Sequence, residues 1–209
     1  MTGAAGLLMR SNELGAWMRI AVPPVMAHDS IVSVSEAVDG RLAVLGSLHV
    51  AILDSLGRLL RVEPLSGSSK PLAVLIIGAG ATATVYADRI RIETVDGTPI
   101  DIGTENRLGG LISTWVALTD GRLVVGTAAD AANPFAVGAL LVVAANPGGH
   151  SAARSELVST DRQRSGITAL GEENGYLRVC TLSGCFRKSV DVVPLRDWSS
   201  RNPLLRHRQ

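Results

Sequence analysis

Aromatic residues and cysteine are scarce in this 209-residue sequence, and each scarcity excludes a class of function. Aromatic residues make up 3% of the chain, which leaves few flat rings for a lectin-like protein to stack against sugars. A ligand-binding protein of that kind is therefore the least favoured function. The two cysteines, Cys180 and Cys185, are too few for a disulfide framework or a structural zinc site. We interpret them as small buried apolar residues in a reducing, cytoplasmic compartment, with a redox switch as the alternative.

Long apolar runs and an excess of one charge are also missing. No stretch approaches the roughly 18 apolar residues of a membrane span. Arg10, Glu13 and Arg19 interrupt the short apolar run near the N terminus that a signal peptide would need. The sequence contains 20 basic and 19 acidic residues, a formal net charge of +1. No overall field directs the protein to nucleic acid or to a membrane, so we expect neither as a partner.

Recognisable catalytic and metal-binding motifs are absent from the sequence. The four histidines lie in separate segments, without a second ligand at metal-binding spacing. There is no P-loop, no nucleophile elbow and no H-E-x-x-H motif. The pair Glu172-Glu173 precedes Asn174-Gly175 and is interpreted as part of a solvated turn. The sequence therefore offers no catalytic residue and no metal site, and it favours a protein without enzymatic activity.

What the sequence does contain is a succession of short apolar runs, each ended by Gly, Asp, Asn or Pro. Such runs are typical of β-strands joined by tight turns. The stretch VDGRLAV (38–44) returns 81 positions later as TDGRLVV (119–125), with an Asp-Gly pair that favours a hairpin. Sets of four runs start at residues 31, 72 and 111, and a fourth, less regular set follows. A period of about 40 residues that carries four strands is typical of a propeller blade.

The sequence therefore predicts an all-β, propeller-like fold with about four blades of four-stranded antiparallel meanders, and the ring can be incomplete. Residues 31–195 form the blades. Residues 1–30 form an N-terminal segment in which ELGAWMRIAV (13–22) is a ring-closing strand, with a short helix as the alternative. SELVST (155–160) is predicted to begin the fourth blade, and residues 196–209 form a basic tail.

Residues 27–60 resemble a degenerate Trp-Asp (WD) repeat. Ala27-His28 stands at the position of the family's Gly-His pair, and Leu53-Asp54 stands at that of its Trp-Asp pair. NGYLRVCTLSG (174–184) resembles the third strand and exit turn of the same unit. Tryptophan is missing from every expected Trp-Asp position, so the family's usual His, Ser, Trp and Asp network is not expected. The resemblance covers about four imperfect units, and it implies a non-catalytic scaffold whose loops bind other proteins.

The segment VLIIGAGATA (74–83) supports a competing hypothesis, a small nucleotide-binding oxidoreductase. Gly78, Gly80 and Ala83 follow an apolar strand with the spacing of a dinucleotide fingerprint, and Glu93 could bind a ribose hydroxyl of NAD(P). The following residues are β-branched and leave too little length for the helix that the fingerprint requires. We therefore favour a glycine-rich hairpin at this position and no cofactor.

Rings of the WD-repeat family typically contain more than four blades, so this chain is a segment of a larger ring, half of a ring, or a small closed ring. Open sheet edges recruit other chains. We expect a protein partner or self-association through the terminal blades, with Trp17 and Phe186 as anchors. Trp198, among the arginines of the tail, is a further candidate contact, although a solvated terminus is the simpler interpretation.

Overall fold

A computed structural model of the chain describes residues 8–11, 17–65, 67, 69–78, 80–94, 99–103, 110–129, 138–144, 154–158 and 166–189. Two strands precede the blades, β1 (Leu8–Ser11) and β2 (Trp17–Ile20), and they pair as an antiparallel hairpin. A 3-10 turn, Pro24–Met26, follows them. The prediction of a strand rather than a helix before Val22 is thus confirmed for residues 17–20. The described partner of β2 is β1, and closure of the ring by this segment stays a prediction.

Four antiparallel sheets follow, each built from consecutive strands and here called blades one to four. Blade one contains β3 (Ile31–Glu36), β4 (Leu42–Gly46), β5 (His49–Leu53) and β6 (Leu59–Pro64). Blade two contains β7 (Ala73–Ile77), β8 (Ala81–Val85), β9 (Arg89–Glu93) and β10 (Ile100–Gly103). Blade three contains β11 (Leu111–Ala117), β12 (Leu123–Ala128), β13 (Leu140–Ala144) and β14 (Arg154–Val158). Blade four has three described strands, β15 (Ile167–Glu173), β16 (Tyr176–Thr181) and β17 (Gly184–Ser189).

One predicted strand belongs to a different blade from the one that the sequence suggested. Residues 155–160 were expected to begin blade four, but β14 pairs with β13 and completes blade three. The first four residues of β13 are buried, so the backbone N–H and C=O groups on both edges of this strand lie away from water. Those groups need hydrogen-bond partners, and β14 supplies them on one edge. Blade four therefore starts at Ile167, and the all-β architecture of four meanders is otherwise as predicted.

The blades stack through their first strands. β3 contacts β7, β7 contacts β11, and β11 contacts β15, so the first strands lie next to one another at the inner edge of the arc. Two serine hydroxyls link neighbouring blades: Ser35 Oγ donates to the carbonyl of Val74 at 2.6 Å, and Ser113 Oγ donates to that of Ile167 at 2.6 Å. The repeated VDGRLAV and TDGRLVV stretches are thus the inner hairpins of blades one and three.

Four apolar clusters fill the spaces between these layers. Strand side chains alternate between two faces, so each blade contributes one set to the cluster before it and another to the cluster after it. One cluster joins the segment around Ile20 and Met26 to blade one. The others lie between blades one and two, two and three, and three and four. All five residues of β7 are buried because a blade covers each of its faces.

Candidate functional site

The repeated Asp-Gly-Arg sequence forms a turn in which the aspartate holds the arginine. Asp39 Oδ1 accepts the backbone N–H of Arg41 at 3.1 Å, and Oδ2 accepts its Nε–H at 2.7 Å. Asp120 holds Arg122 in the same way, at 3.0 and 2.6 Å. The glycine between them has a positive φ in both turns, 82° at Gly40 and 85° at Gly121. The arginine side chain is therefore fixed along the hairpin.

A third turn, between β5 and β6, achieves the same result from a different position. Asp54 stands four residues before Arg58, accepts the backbone N–H of Arg58 at 2.8 Å and accepts its Nε–H at 2.6 Å. Leu56 N–H donates to the same carboxylate at 2.9 Å. Asp54 was assigned to the Trp-Asp position of the family resemblance, and its role here is to fix the turn between the third and fourth strands of the blade.

These hydrogen bonds keep the turn carboxylates ionised. The backbone amide of Arg41 is the main cause of the lowered pKa of Asp39, and that of Arg58 is the main cause for Asp54. Burial alone would raise the pKa of Asp120, but the hydrogen bonds from Arg122 outweigh it and the pKa is lowered. Asp39 and Asp120 are thus bound to their own arginines, which makes them poor general acids or bases at neutral pH.

The turns of the first three blades converge on a shallow depression of about 310 Å³. Blade two supplies its floor with the short glycine turn, and the Asp-Gly-Arg turns of blades one and three form its walls. Gly78 N–H donates to the carbonyl of Gly121 at 2.9 Å. A Cβ at Gly121 would lie 2.7 Å from the Gly78 Cα, so the contact between these turns requires glycine.

Residues 74–83 do not form the strand, turn and helix of the dinucleotide fingerprint that the alternative hypothesis required. The fingerprint needs a helix whose N-terminus faces the pyrophosphate, but Gly78 and Gly80 form the turn between the antiparallel strands β7 and β8. Ala83 is fully buried between blades two and three. Glu93 accepts a hydrogen bond from Arg61 of blade one at 3.1 Å, an ion pair between blades. The glycine-rich hairpin that the β-branched residues indicated is confirmed.

The predicted interaction anchors fall in different places. The backbone of Trp17 pairs with Ser11 in the N-terminal hairpin. Phe186 lies on β17 and is half-buried against the cluster between blades three and four. Trp198 lies outside the described residues. Their use in association is therefore still a prediction, and Phe186 faces blade three rather than the end of the arc.

The face of blade one that points away from blade two is only partly covered. Ile20 and Met26 pack against β4 and β5 on this face. The inner strand β3 alternates between half-buried and exposed residues. Val32 is 55% exposed and Val34 is 44% exposed, although Val34 pairs directly with the fully buried Val44. A short apolar strip, Val32 and Val34, is thus left at the end of the arc, and the exposed Glu36 follows it on the same strand.

The outer face of blade four is polar instead. The strand register places Arg178 opposite Arg187 and Tyr176 opposite Ser189, on the face that points away from blade three. Glu173 is opposite Tyr176 and accepts a hydrogen bond from Arg187 at 3.2 Å. The two ends of the arc therefore differ: blade one exposes Val32 and Val34 beside Glu36, whereas blade four exposes a pair of arginines.

The two cysteines lie next to this charged face and are joined. Cys180 and Cys185 are opposite one another on β16 and β17 and form a disulfide. Cys180 is half-buried and Cys185 is exposed, so the interpretation as two buried apolar residues is wrong. Direct pairing across a hairpin brings the two sulfur atoms together, as the alternative of a redox pair required. A disulfide is typical of an oxidising compartment, and the cytoplasmic location stays a prediction.

A buried aspartate that sequence reasoning missed organises the start of blade one. Asp29 is 6% exposed and accepts the backbone N–H of His49 at 2.9 Å, and it also lies 3.3 Å from His49 Nδ1. A Cβ at Gly46 would overlap its carboxylate. The resemblance had drawn attention to the neighbouring His28, which is exposed. The usable signal was an aspartate just before the first strand, in the segment that enters the blade.

The described residues contain no group of three or more His, Cys, Asp or Glu side chains that could hold a metal ion. In the same part of the chain, no helix has the length and apolar character needed to cross a membrane.

Consecutive four-stranded meanders that stack through their first strands define the architecture of a β-propeller. Solved structures agree: the chain is similar to streptogramin B lyase, with a TM-score of 0.55 and 15% identity over 88% of this chain and 62% of that one. Virginiamycin B lyase from Staphylococcus aureus gives 0.54 and 14% over 88% and 63%. YCF48 from Cyanidioschyzon merolae gives 0.51 and 12% over 84% and 58%.

At these identities the likeness shows the fold alone. The chain spans about three fifths of the length of these structures. No family model and no curated protein sequence matches it. The propeller fold is thus confirmed, whereas membership of the WD-repeat family stays a prediction.

Proposed function

We propose that this chain is a non-catalytic interaction scaffold, a propeller arc that associates with a second copy of itself through blade one. The contrast between two inner strands carries the proposal. β7 is buried at all five positions between two neighbouring blades, whereas β3 exposes every second residue. Blade one therefore has a surface that suits a neighbouring blade, and in the described part of the chain Val32 and Val34 remain uncovered.

The difference between the two ends of the arc favours a second copy as the occupant. Terminal units of stacked folds usually carry a polar outer face, and blade four has one around Arg178 and Arg187. Head-to-tail contact would bring Val34 near these charges. Face-to-face contact about a two-fold axis places valine against valine, and two-fold dimers are the commonest oligomers. The strip also continues the apolar cluster that Ile20 and Met26 already cover.

This assignment places the contact beside the predicted segment 13–22. Because Phe186 faces blade three, the test uses the strip of Val32 and Val34, and Trp17 remains a proposed neighbouring anchor. Ligand binding in the depression between the turns is a separate hypothesis, which the paired carboxylates of Asp39 and Asp120 do not favour.

Val34→Asp tests the proposal by size-exclusion chromatography with light scattering. We expect the wild-type protein to dimerise as its concentration rises and the variant to stay monomeric, because a carboxylate in the contact would lose its water. Val38→Asp is the matched control, since Val38 is an even more exposed valine that lies outside β3. Thermal melts establish that both variants fold. A wild type that stays monomeric over a wide concentration range, or a dimer that survives Val34→Asp, refutes the proposal.

A further inference from the structure

We infer that the outer face of blade four is a binding surface for an acidic protein segment. This inference rests on the proposed scaffold function, and it names the chemistry of one partner. The surface consists of Arg178, Arg187, Tyr176, Glu173 and Gly171, and we call it the arginine face.

The placement of the two arginines is the first observation. Arg178 and Arg187 are directly opposite on β16 and β17, so their side chains leave the same face of the sheet side by side. Like charges directly opposite one another destabilise a sheet. Glu173 compensates one of them, through a hydrogen bond with Arg187 at 3.2 Å. In the described part of the chain the side chain of Arg178 makes no hydrogen bond or ion pair, so one guanidinium of the pair is left for an external anion.

The neighbours of the pair leave it accessible. Gly171 is opposite Arg178 on β15, and a Cβ there would meet no atom within 4 Å. The side chain of Arg187 is 63% exposed, and Tyr176 is 47% exposed. A segment that crosses the sheet could therefore reach the guanidinium of Arg178 over Gly171 and offer a carboxylate to its planar array of donors.

The charge pattern favours a protein over a polyphosphate. Among the described residues two arginines form the face, and Glu173 lies on it beside the turn between β15 and β16. The next cation, Lys188, is opposite the buried Leu177 and so lies on the other face of the sheet. Nucleic acid binding depends on several cations that follow the phosphate backbone. Two arginines with an exposed tyrosine match one or two carboxylates of a peptide. The same charges disfavour the packing of another blade's apolar face against this surface.

A fluorescent polyglutamate peptide is the probe, and its binding is measured by fluorescence anisotropy. We expect binding that weakens as salt is added, and we expect Arg178→Glu to weaken it by about tenfold or more. Arg178→Lys should retain part of the affinity, since the charge remains but the paired donors are lost. Lys70→Glu makes the same change of charge as Arg178→Glu, at an exposed lysine in the segment between β6 and β7. It should leave binding unchanged.

The same measurement in the Val34→Asp background separates this inference from the proposed dimer. Peptide binding by the monomeric variant supports the arginine face whatever the oligomeric state. If the wild type dimerises but binding is absent, or is unaffected by Arg178→Glu, the inference is overturned and the dimer stands. Tighter binding of single-stranded DNA than of the peptide, lost in Arg178→Glu, would also overturn it. Thermal melts show that each variant is folded.

Discussion

In the described part of the chain, three turn aspartates each accept both the backbone N–H and the Nε–H of one arginine, and they do so from two different places in the turn. Asp39 and Asp120 stand two residues before their arginine, whereas Asp54 stands four residues before Arg58. The Asp-Gly pairs predicted the turns, because Asp and Gly tolerate the required backbone conformation. They did not predict the hydrogen bond from the arginine Nε–H to the aspartate carboxylate. Such a bond depends on side-chain rotamers that the residue types alone do not specify.

Glycine at position 121 is predicted to be irreplaceable for packing as well as for backbone conformation. An L-residue with a left-handed φ costs roughly 1–2 kcal/mol. Gly121→Ala adds a methyl group 2.7 Å from the Gly78 Cα. The two turns must then separate, which would break the Gly78 to Gly121 hydrogen bond at a further cost of about 1 kcal/mol. Denaturant unfolding measures the total loss.

Gly175→Ala is the control for that measurement. Gly175 has a φ of 75°, close to the 85° of Gly121, and a Cβ there would meet no atom within 4 Å. Its substitution should therefore cost the backbone strain alone. Equal losses of unfolding free energy in the two variants would show that the contact between the turns of blades two and three is unimportant.

At the scale of the strand, the sequence predicted most elements well. Alternating apolar runs bounded by Gly, Asp or Pro gave β3 to β13 to within a few residues. The prediction that residues 155–160 begin blade four was wrong. The spacing of apolar runs along the sequence does not show whether a given strand is the last of one blade or the first of the next. Pairing decides that question, and the pairing of Leu157 with Leu141 depends on contacts between strands that sequence spacing does not contain.

The candidate surfaces were less predictable than the strands. The exposure of Val34 depends on which blade lies beside β3, and the direct opposition of Arg178 and Arg187 depends on the hairpin register. The disulfide follows from that same register, which places Cys180 opposite Cys185. Composition suggested scattered arginines and buried cysteines, because it counts residues without showing which of them share a face.

Acid should weaken the hairpin of β5 and β6 through Asp54. Its pKa is lowered in the folded protein, so its contribution to stability is present above its unfolded pKa of about 3.9 and disappears as the pH falls through the lower folded value. Asp54→Asn removes the charge and keeps a similar shape. We expect the wild type to melt at a higher temperature than the variant at pH 6.

That difference in melting temperature should begin to shrink below about pH 4, where the Asp54 carboxyl of the unfolded chain takes up its proton, and it should disappear once the pH has fallen through the lower pKa of the folded protein. Melting curves of the two proteins across this pH range measure it. A difference that stays constant down to the most acidic pH would show that the charge of Asp54 does not stabilise the turn.

The whole arc is stabilised from its middle outwards. Blades two and three each contribute apolar residues to clusters on both sides. Blade four has a described neighbour only at blade three, and its other face is the arginine face. Since each blade is stabilised by its neighbours, local opening should cost most free energy in the central blades. Stacked units of this kind gain stability from each interface.

Hydrogen exchange followed by mass spectrometry tests this order. We expect peptides that cover β7, β8 and β12 to be the most protected and those that cover β15 to β17 to exchange faster. If the chain dimerises through blade one, protection of residues 31–36 should rise with protein concentration, because Val32 and Val34 lie on that strand, while protection of blade four stays the same. In Val34→Asp the concentration dependence should vanish, with the order of the other blades kept. Uniform protection across the four blades would contradict the prediction that the central blades are the most stable. A concentration-dependent rise of protection in blade four instead of blade one would place the contact between copies at the opposite end of the arc.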